Sequence, residues 1–418
     1  MKKHQTLLTV LGLFMFSGAF CQNDKPVIDS LKKDAINIFI DCGFCDIDYF
    51  RKEITFVNYV RDRKEAQVYV LSSWQATASG GGSLSFFFIG QKNFTGLNDT
   101  LVSISKADAT DDEIRQGQVA VLKMGLMRYV SKTPMAKYIS ISLDAPATTE
   151  NVKDHWRSWV FSFDAGGWFN GQQSYQSLST WNSFSANKTT EDWKVEFNVN
   201  SNYNENQYQI DDTTRIKSIR RSKNFNHLLA KSINDHWSAG GFVGIDNSDY
   251  DNLKLKSGIA PAVEYDLFPY SQATRKQLRI LYAAGYSYAY YMDTTIFDKL
   301  EEGLWQERLG IAFEIKQKWG SLACSMVGTN YLHDFSKNNL FVRPEVNIRL
   351  FKGLSVRLGG SISVIHDQIA LPKAGATLEE ILLQQRQLAT QYSYWGNFGI
   401  SYTFGSIYNN VVNPRFNQ

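Results

Sequence analysis

A few residues in this 418-residue chain have the types and spacing that chemistry needs. Cys42 and Cys45 bracket Gly43-Phe44. That spacing closes a tight disulfide in an oxidising compartment, works as a redox pair, or supplies half of a metal site. No second CxxC and no His-x-x-x-His accompanies it, so a structural disulfide or two inert thiols is expected, and no metal. The six histidines, His4, His155, His227, His236, His333 and His366, are scattered. Nucleophilic hydrolysis needs a serine activated by a histidine that a third group orients. His227 has Asn226 beside it but no serine on its own face, so no catalytic residue is expected. Gly80-Gly81-Gly82 lacks the Lys and Ser/Thr of a phosphate loop and reads as a hairpin turn, so no cofactor is expected either. What remains is a set of charges, Glu264, Arg279, Arg308, Glu314, Lys316, Arg343, Glu345, Arg349 and Arg357, whose meaning depends on the strands that carry them.

The composition limits those elements. Hydrophobic residues make up 43% of the chain and aromatic residues 14%, enough to bury a core and to exclude a disordered chain. The net charge of +3, with no basic stripe, excludes a general nucleic-acid binder. Only residues 7–20 form a continuous apolar run, too short and too terminal for a spanning helix. Lys2 and Lys3 before that run, and Ser17, Gly18 and Ala19 after it, give residues 1–21 the pattern of a secretory signal peptide. Cleavage after Cys21 and lipidation of Cys21 are the two alternatives.

Residues 34–143 alternate helical and strand patterns. Strands are expected at 35–40, 66–71, 84–89, 101–105 and 138–142, with helices at 46–60 and from Thr110 to about Ser131. Glu113, three residues after Thr110, has capping-box spacing. The expected order is βαβββαβ, an α+β unit. Its Ala66–Leu71 strand, Gly80-Gly81-Gly82 turn and long helix after Thr110 resemble the N-terminal periplasmic domain of the Tol β-propeller protein and the periplasmic core of the curli-secretion channel lipoprotein. The resemblance covers about a quarter of the chain and implies a periplasmic interaction module. No propeller repeats follow it.

Residues 144–155 read as a linker, and residues 156–405 alternate with period two. Trp193, Val195, Phe197, Val199 and Tyr203 share one face of a strand, with Lys194, Glu196, Asn198 and Asn202 on the other. Val342, Val346, Ile348 and Leu350 oppose Arg343, Glu345, Asn347 and Arg349. Leu354, Val356, Leu358 and Ile362 oppose Arg357, Ser361 and Ser363. Soluble antiparallel sheets alternate as well. Here the segments are roughly 11–15 residues long, where a tilted strand needs about 9–11 to cross a bilayer. Aromatics (Tyr286, Tyr288, Tyr290, Trp305, Trp319, Trp237 and Tyr394) sit towards strand ends, as in interfacial girdles.

Twelve strands are expected, at 156–168, 174–187, 191–204, 216–232, 235–248, 253–268, 275–291, 304–318, 319–333, 338–350, 353–366 and 391–404. Tight turns near Asn234, Gly320 and Gly353 alternate with long loops at 205–214, 293–303 and 367–391. Closure of the last strand onto the first is expected, because lipid leaves an open edge unsatisfied. The even count puts the C-terminal tail, 406–418, on the side of the N-terminal domain.

The expected architecture is therefore an α+β periplasmic domain followed by an all-β antiparallel transmembrane barrel of about 12 strands in the cell outer membrane. The nine charges listed above line its lumen, either as a selectivity lining or as a cross-strand ion-pair lattice. The helix-like segment 376–391 is either a lid over the mouth or a surface excursion. Expected partners are outer-membrane lipid and a periplasmic or outer-membrane protein, with no nucleic acid. The expected function is a non-enzymatic envelope scaffold or adaptor. The alternatives are a porin-like small-solute channel gated or stabilised by the periplasmic domain, and an outer-membrane hydrolase.

Overall fold

The structure is a computed structural model that describes residues 34–77, 80–141, 155–209, 213–269, 272–317, 319–351, 353–375, 380, 383 and 385–406. The signal segment, most of the linker, residues 376–379, 381, 382 and 384 of the helix-like stretch and the tail beyond 406 lie outside the described residues.

The N-terminal unit runs β1 (Asn37–Asp41), α1 (Ile47–Glu53), β2 (Asn58–Tyr59), β3 (Val68–Ala76), β4 (Gly82–Gly90), β5 (Asn98–Ser105) and α2 (Asp111–Val130). Its sheet has the order β2-β1-β3-β4-β5, with β1 parallel to β2 and β3 and the remaining pairs antiparallel. One face of the sheet buries Val68, Val70, Phe86 and Phe88 against Phe50 of α1 and Leu122 and Leu126 of α2. Gly125 lets α2 sit directly on Phe88, because a Cβ there would lie 2.1 Å from the ring. The helix starts where Thr110 and Glu113 form a capping box: Glu113 N–H donates to Thr110 Oγ1 at 3.3 Å, and Thr110 N–H donates to Glu113 Oε2 at 2.8 Å. Those bonds hold the Glu113 carboxyl below the usual carboxylate range.

Two expected elements differ. The helix 46–60 stops at Glu53, where the Ile54 N–H caps the Phe50 carbonyl, and Asn58–Tyr59 then pairs with β1 as a short strand. The β-branched residues Ile54, Thr55 and Val57 oppose further helix. The expected strand 138–142 is absent among the described residues, because Thr133 caps a 3-10 turn at Pro134–Tyr138 that proline begins. The observed order is therefore βαββββα.

The second unit is one twelve-stranded antiparallel meander. Its strands are β6 (Trp159–Gln172), β7 (Tyr175–Thr189), β8 (Trp193–Gln209), β9 (Arg215–Ser232), β10 (Trp237–Ser248) and β11 (Leu253–Asp266). They continue as β12 (Lys276–Tyr291), β13 (Glu301–Gln317), β14 (Gly320–Tyr331), β15 (Asp334–Phe351), β16 (Leu354–Ile365) and β17 (Tyr392–Tyr402). Each neighbour pairs with the next, so the ladder itself satisfies the backbone.

The register places Phe197, Phe225, Val243 and Ile259 on one face of the sheet and Leu309, Met326, Val342, Ile362 and Tyr394 on the same face further round. That face is apolar and open: Ile259 is 61% exposed, Ile362 55% and Phe398 82%. Water would penalise so much apolar surface, and lipid does not. Aromatics border the band at both ends. Tyr286 meets Trp305 at one end, and Trp237 meets Tyr265 at the other. No helix among the described residues is long and apolar enough to cross a membrane.

Two expectations about the barrel are corrected. No pairing joins β6 to β17 among the described residues, so the sheet is barrel-like without a closing ladder. Gly166, Gly167 and Gly171 on β6 and Gly396 and Gly399 on β17 leave this seam poor in the cross-strand side-chain pairs that secure other ladders. The loop alternation is also looser than expected. β8 runs on to Gln209 and β15 begins at Asp334, where polar cross-strand pairs such as Lys217–Glu205 extend the ladder past the apolar band.

Replacing Ile362 with Arg should lower membrane insertion by about 2–4 kcal/mol, read as reduced yield of folded protein in vesicles; Ser361→Arg, on the opposite face, should not. Thr110→Ala should cost the N-terminal unit about 1 kcal/mol, read as a lower unfolding midpoint of the full chain's helical signal.

Candidate functional site: the lumen and its two covers

The N-terminal unit sits on one end of the barrel. The free face of its sheet buries Tyr69, Leu71, Phe87 and Ile89, with Phe39 packed beside them. Arg349, near the end of β15, makes a two-pronged ion pair with Asp41 at the end of β1, with Nη1 to Oδ2 at 2.5 Å. Its guanidinium lies 5.1 Å from the Phe39 ring centre. The Tyr69 hydroxyl donates to the same carboxylate at 2.7 Å. Burial first, and then Asp41, push the Tyr69 phenol above its ordinary range, so it stays a neutral donor. Lys316 Nζ reaches Ser73 Oγ at 3.2 Å, Gly353 N–H donates to Asp62 Oδ2 at 2.8 Å, and Arg275 lies 5.3 Å from the Phe87 ring. The disulfide between Cys42 and Cys45 follows Asp41 directly. All these barrel partners lie at one end of the sheet, the end that carries the β13–β14 and β15–β16 turns.

The opposite end is covered by loops. Ile369, from the connection between β16 and β17, is buried with Ala289, Tyr291, Leu304 and Tyr331, and Leu371 is buried as well. Asn252 ties the cover down. Its amide donates to the carbonyls of Asp293 at 2.9 Å and Ala370 at 2.8 Å, and its Oδ1 accepts from Asp293 N–H at 2.8 Å. Asn252 has φ +57°, which asparagine tolerates better than most residues. Ile296 N–H donates to Leu371 O and Lys373 N–H to Thr294 O, both at 2.8 Å. Arg386 bridges Asp293 at 3.0 Å and Glu380 at 2.8 Å. In its described part this connection is a lid rather than an outward excursion.

The register puts all nine expected lumen charges on the face opposite the apolar band. They do not form one lattice. Glu264 meets Arg279 at 3.8 Å, Glu314 meets Lys316 at 2.8 Å, and Arg349 turns to the N-terminal unit. Among the described residues Arg308, Arg343, Glu345 and Arg357 make no ion pair within 4 Å, because the register opposes them to Ala283, Ser325, Ala323 and Asn347 rather than to each other.

Hydroxyls and amides dominate the other half of the lumen. On β7 and β8 the inward face carries Ser177, Ser179, Ser183 and Ser185 against Asn206, Asn204, Asn200 and Asn198. Alternating Asn in Asn198–Asn206 was the available signal, but neutral residues carry none of the charge contrast that draws attention. The lumen thus has a half on β11–β16 rich in charge and a half on β7–β9 rich in amides and hydroxyls, where the inward charges are the Lys194–Glu196 ion pair and Arg220. His227 faces the other way: it lies on the apolar face, stacked on Phe197 at 4.1 Å, with Nδ1 3.0 Å from the Glu196 carbonyl oxygen. No group of three potential metal ligands occurs among the described residues.

No family model and no curated protein matches the chain. Among solved structures it is similar to the translocator domain of the autotransporter NalP from Neisseria meningitidis, at 10% identity over 59% of this chain and 82% of that one, with a TM-score of 0.20. The barrel assignment rests on the chain's own ladder and faces.

A double-mutant cycle on Asp41→Ala and Arg349→Ala should give a coupling of about 1.5–3 kcal/mol, read from hydrogen exchange of the β1 and β3 amides. Additive single effects would mean that the ion pair does not hold the unit in place.

Proposed function

We propose that the chain is a non-enzymatic outer-membrane protein whose barrel anchors the N-terminal unit as an interaction domain for another envelope component, with that domain and the C-terminal end on the periplasmic side. One observation carries this reading: the N-terminal sheet is clamped to the barrel while its β5 edge stays open. β5 pairs only with β4 among the described strands, and Val102 and Ile104 project from it at 45% and 75% exposure. An open edge with apolar side chains is what an extended segment of a partner adds to as a further strand. The N-terminal unit over one barrel end and the lid over part of the other favour an anchor over an open pore.

A second reading is a small-solute channel that the N-terminal unit closes. The position of Arg349 favours it, since one lumen-face residue supplies the main contact of the clamp.

Two measurements separate the readings. Cross-linking from Ile104→Cys, in the full chain in its native envelope, should trap a defined partner that Ile104→Lys no longer binds. Wild type in planar bilayers should be silent under the anchor reading. Discrete conductance steps that grow in Arg349→Ala, with no trapped partner, would replace the anchor reading with the channel.

A further inference from the structure

We infer that the amide-rich half of the lumen is a binding site for a neutral saccharide. The register assembles it in rows. Trp181, Asn202 and Ser222 stand side by side across β7, β8 and β9, and Ser183, Asn200 and Asn224 form the next row. Asn198 and Asn226 continue the wall below them. Asp164, opposite Ser183 on β6, and Asp246, opposite Asn224 on β10, close the second row at its two ends, and Arg220, opposite Asn204, stands beyond the first, so ionised groups frame the amide wall.

Three features mark this as more than a wet surface. The first is the Trp181 indole. It faces Gly166 across the β6–β7 ladder, and a Cβ on Gly166 would lie 2.5 Å from the ring. The glycine therefore lets the indole lie down against the sheet, with its other side towards the bore. Trp181 stays 44% exposed, and Trp168, on the same face one diagonal step away, 47%. Two exposed indoles inside a barrel, rather than on its lipid side, are suited to the C–H faces of sugar rings.

The second is unused hydrogen-bonding capacity. The side chains of Asn198, Asn200 and Asn226 make no hydrogen bond among the described residues, and the Asn224 carbonyl oxygen is buried without one. An amide presents a donor and an acceptor side by side, which matches a pair of adjacent hydroxyls. Other parts of the wall are already fixed: Ser177 and Ser179 donate to Asn206 and Asn204 at 2.7 and 2.5 Å, and Asn202 donates to Ser222 at 3.3 Å. The open amides are thus held on a preorganised frame.

The third is access. The lid residue Ile369 packs on β12–β14, on the charged side of the lumen, and the indoles on β6 and β7 stay exposed. A neutral ligand is favoured over an acidic one because Asp164 and Asp246 flank the wall and repel a carboxylate, whereas hydroxyls exchange water for amides.

The test uses the full chain folded in detergent, titrated with maltotetraose, cellotetraose and chitotetraose as neutral probes and trigalacturonate as the charged one. At least one neutral probe should bind saturably, shift the tryptophan emission and shield it from iodide. Trp181→Ala and Asn200→Leu/Asn224→Leu should each weaken that binding about tenfold or more, while Arg308→Gln leaves it unchanged. Asn200→Asp, nearly the same size, is the fallback if the leucine variant fails to fold, and it should weaken binding too. No saturable binding of any neutral probe, binding confined to trigalacturonate, or binding unaffected by the wall variants would each overturn the proposal. None of these results depends on whether a protein partner docks on β5.

Discussion

Every other feature of this molecule depends on one constraint. A backbone in hydrocarbon has no water to bond with, so each strand must find its partners in its neighbours. The meander from β6 to β17 meets that demand strand by strand. Period-two alternation then follows, because one face of such a ladder meets lipid and the other meets the bore. Phe398 and Ile400 can stand in the open on that account, and Arg357 and Ser361 can line the inside. The seam between β6 and β17, unpaired among the described residues, is where the constraint is least well met.

The two-sided ladder also explains how the halves of the chain cooperate. Inward-facing residues at the near end of the barrel project past the apolar band, so Arg349 and Lys316 can reach the N-terminal sheet. The sheet answers with Asp41, Tyr69 and Phe39 on its own free face. A soluble domain would face the cost of exposing Leu71, Phe87 and Ile89, and here the barrel end covers them. At the far end Asn252 draws two loops together over the charged side of the bore. The amide-rich side is left for a different use.

Much of this was legible in the sequence because the signals were local. Thr110 and Glu113 announce a helix start in four residues, and both appear as a capping box. Ile259 and Val263 against Lys256 and Glu264 fix a face without any knowledge of neighbours. What was not legible was either long-range or uncharged. Asp41 and Arg349 are 308 positions apart, and nothing in either stretch points to the other. The strand ends at Gln209 and Asp334 depend on cross-strand polar pairs that extend the ladder beyond the apolar band. The 3-10 turn at Pro134 replaced an expected strand because a capping threonine and a proline outweigh the β-propensity of Ile139 and Ile141. The asparagine wall was visible as alternation but silent in charge.

The most direct test of the two-faced sheet is aqueous maleimide labelling of single cysteines along β16, in a Cys324→Ser background in lipid vesicles. The account predicts that cysteines replacing Ser355, Arg357, Ser361 and Ser363 label, and that those replacing Val356, Leu358, Ile362 and Val364 are protected by lipid. Uniform labelling along the strand, or protection in the opposite phase, would contradict it.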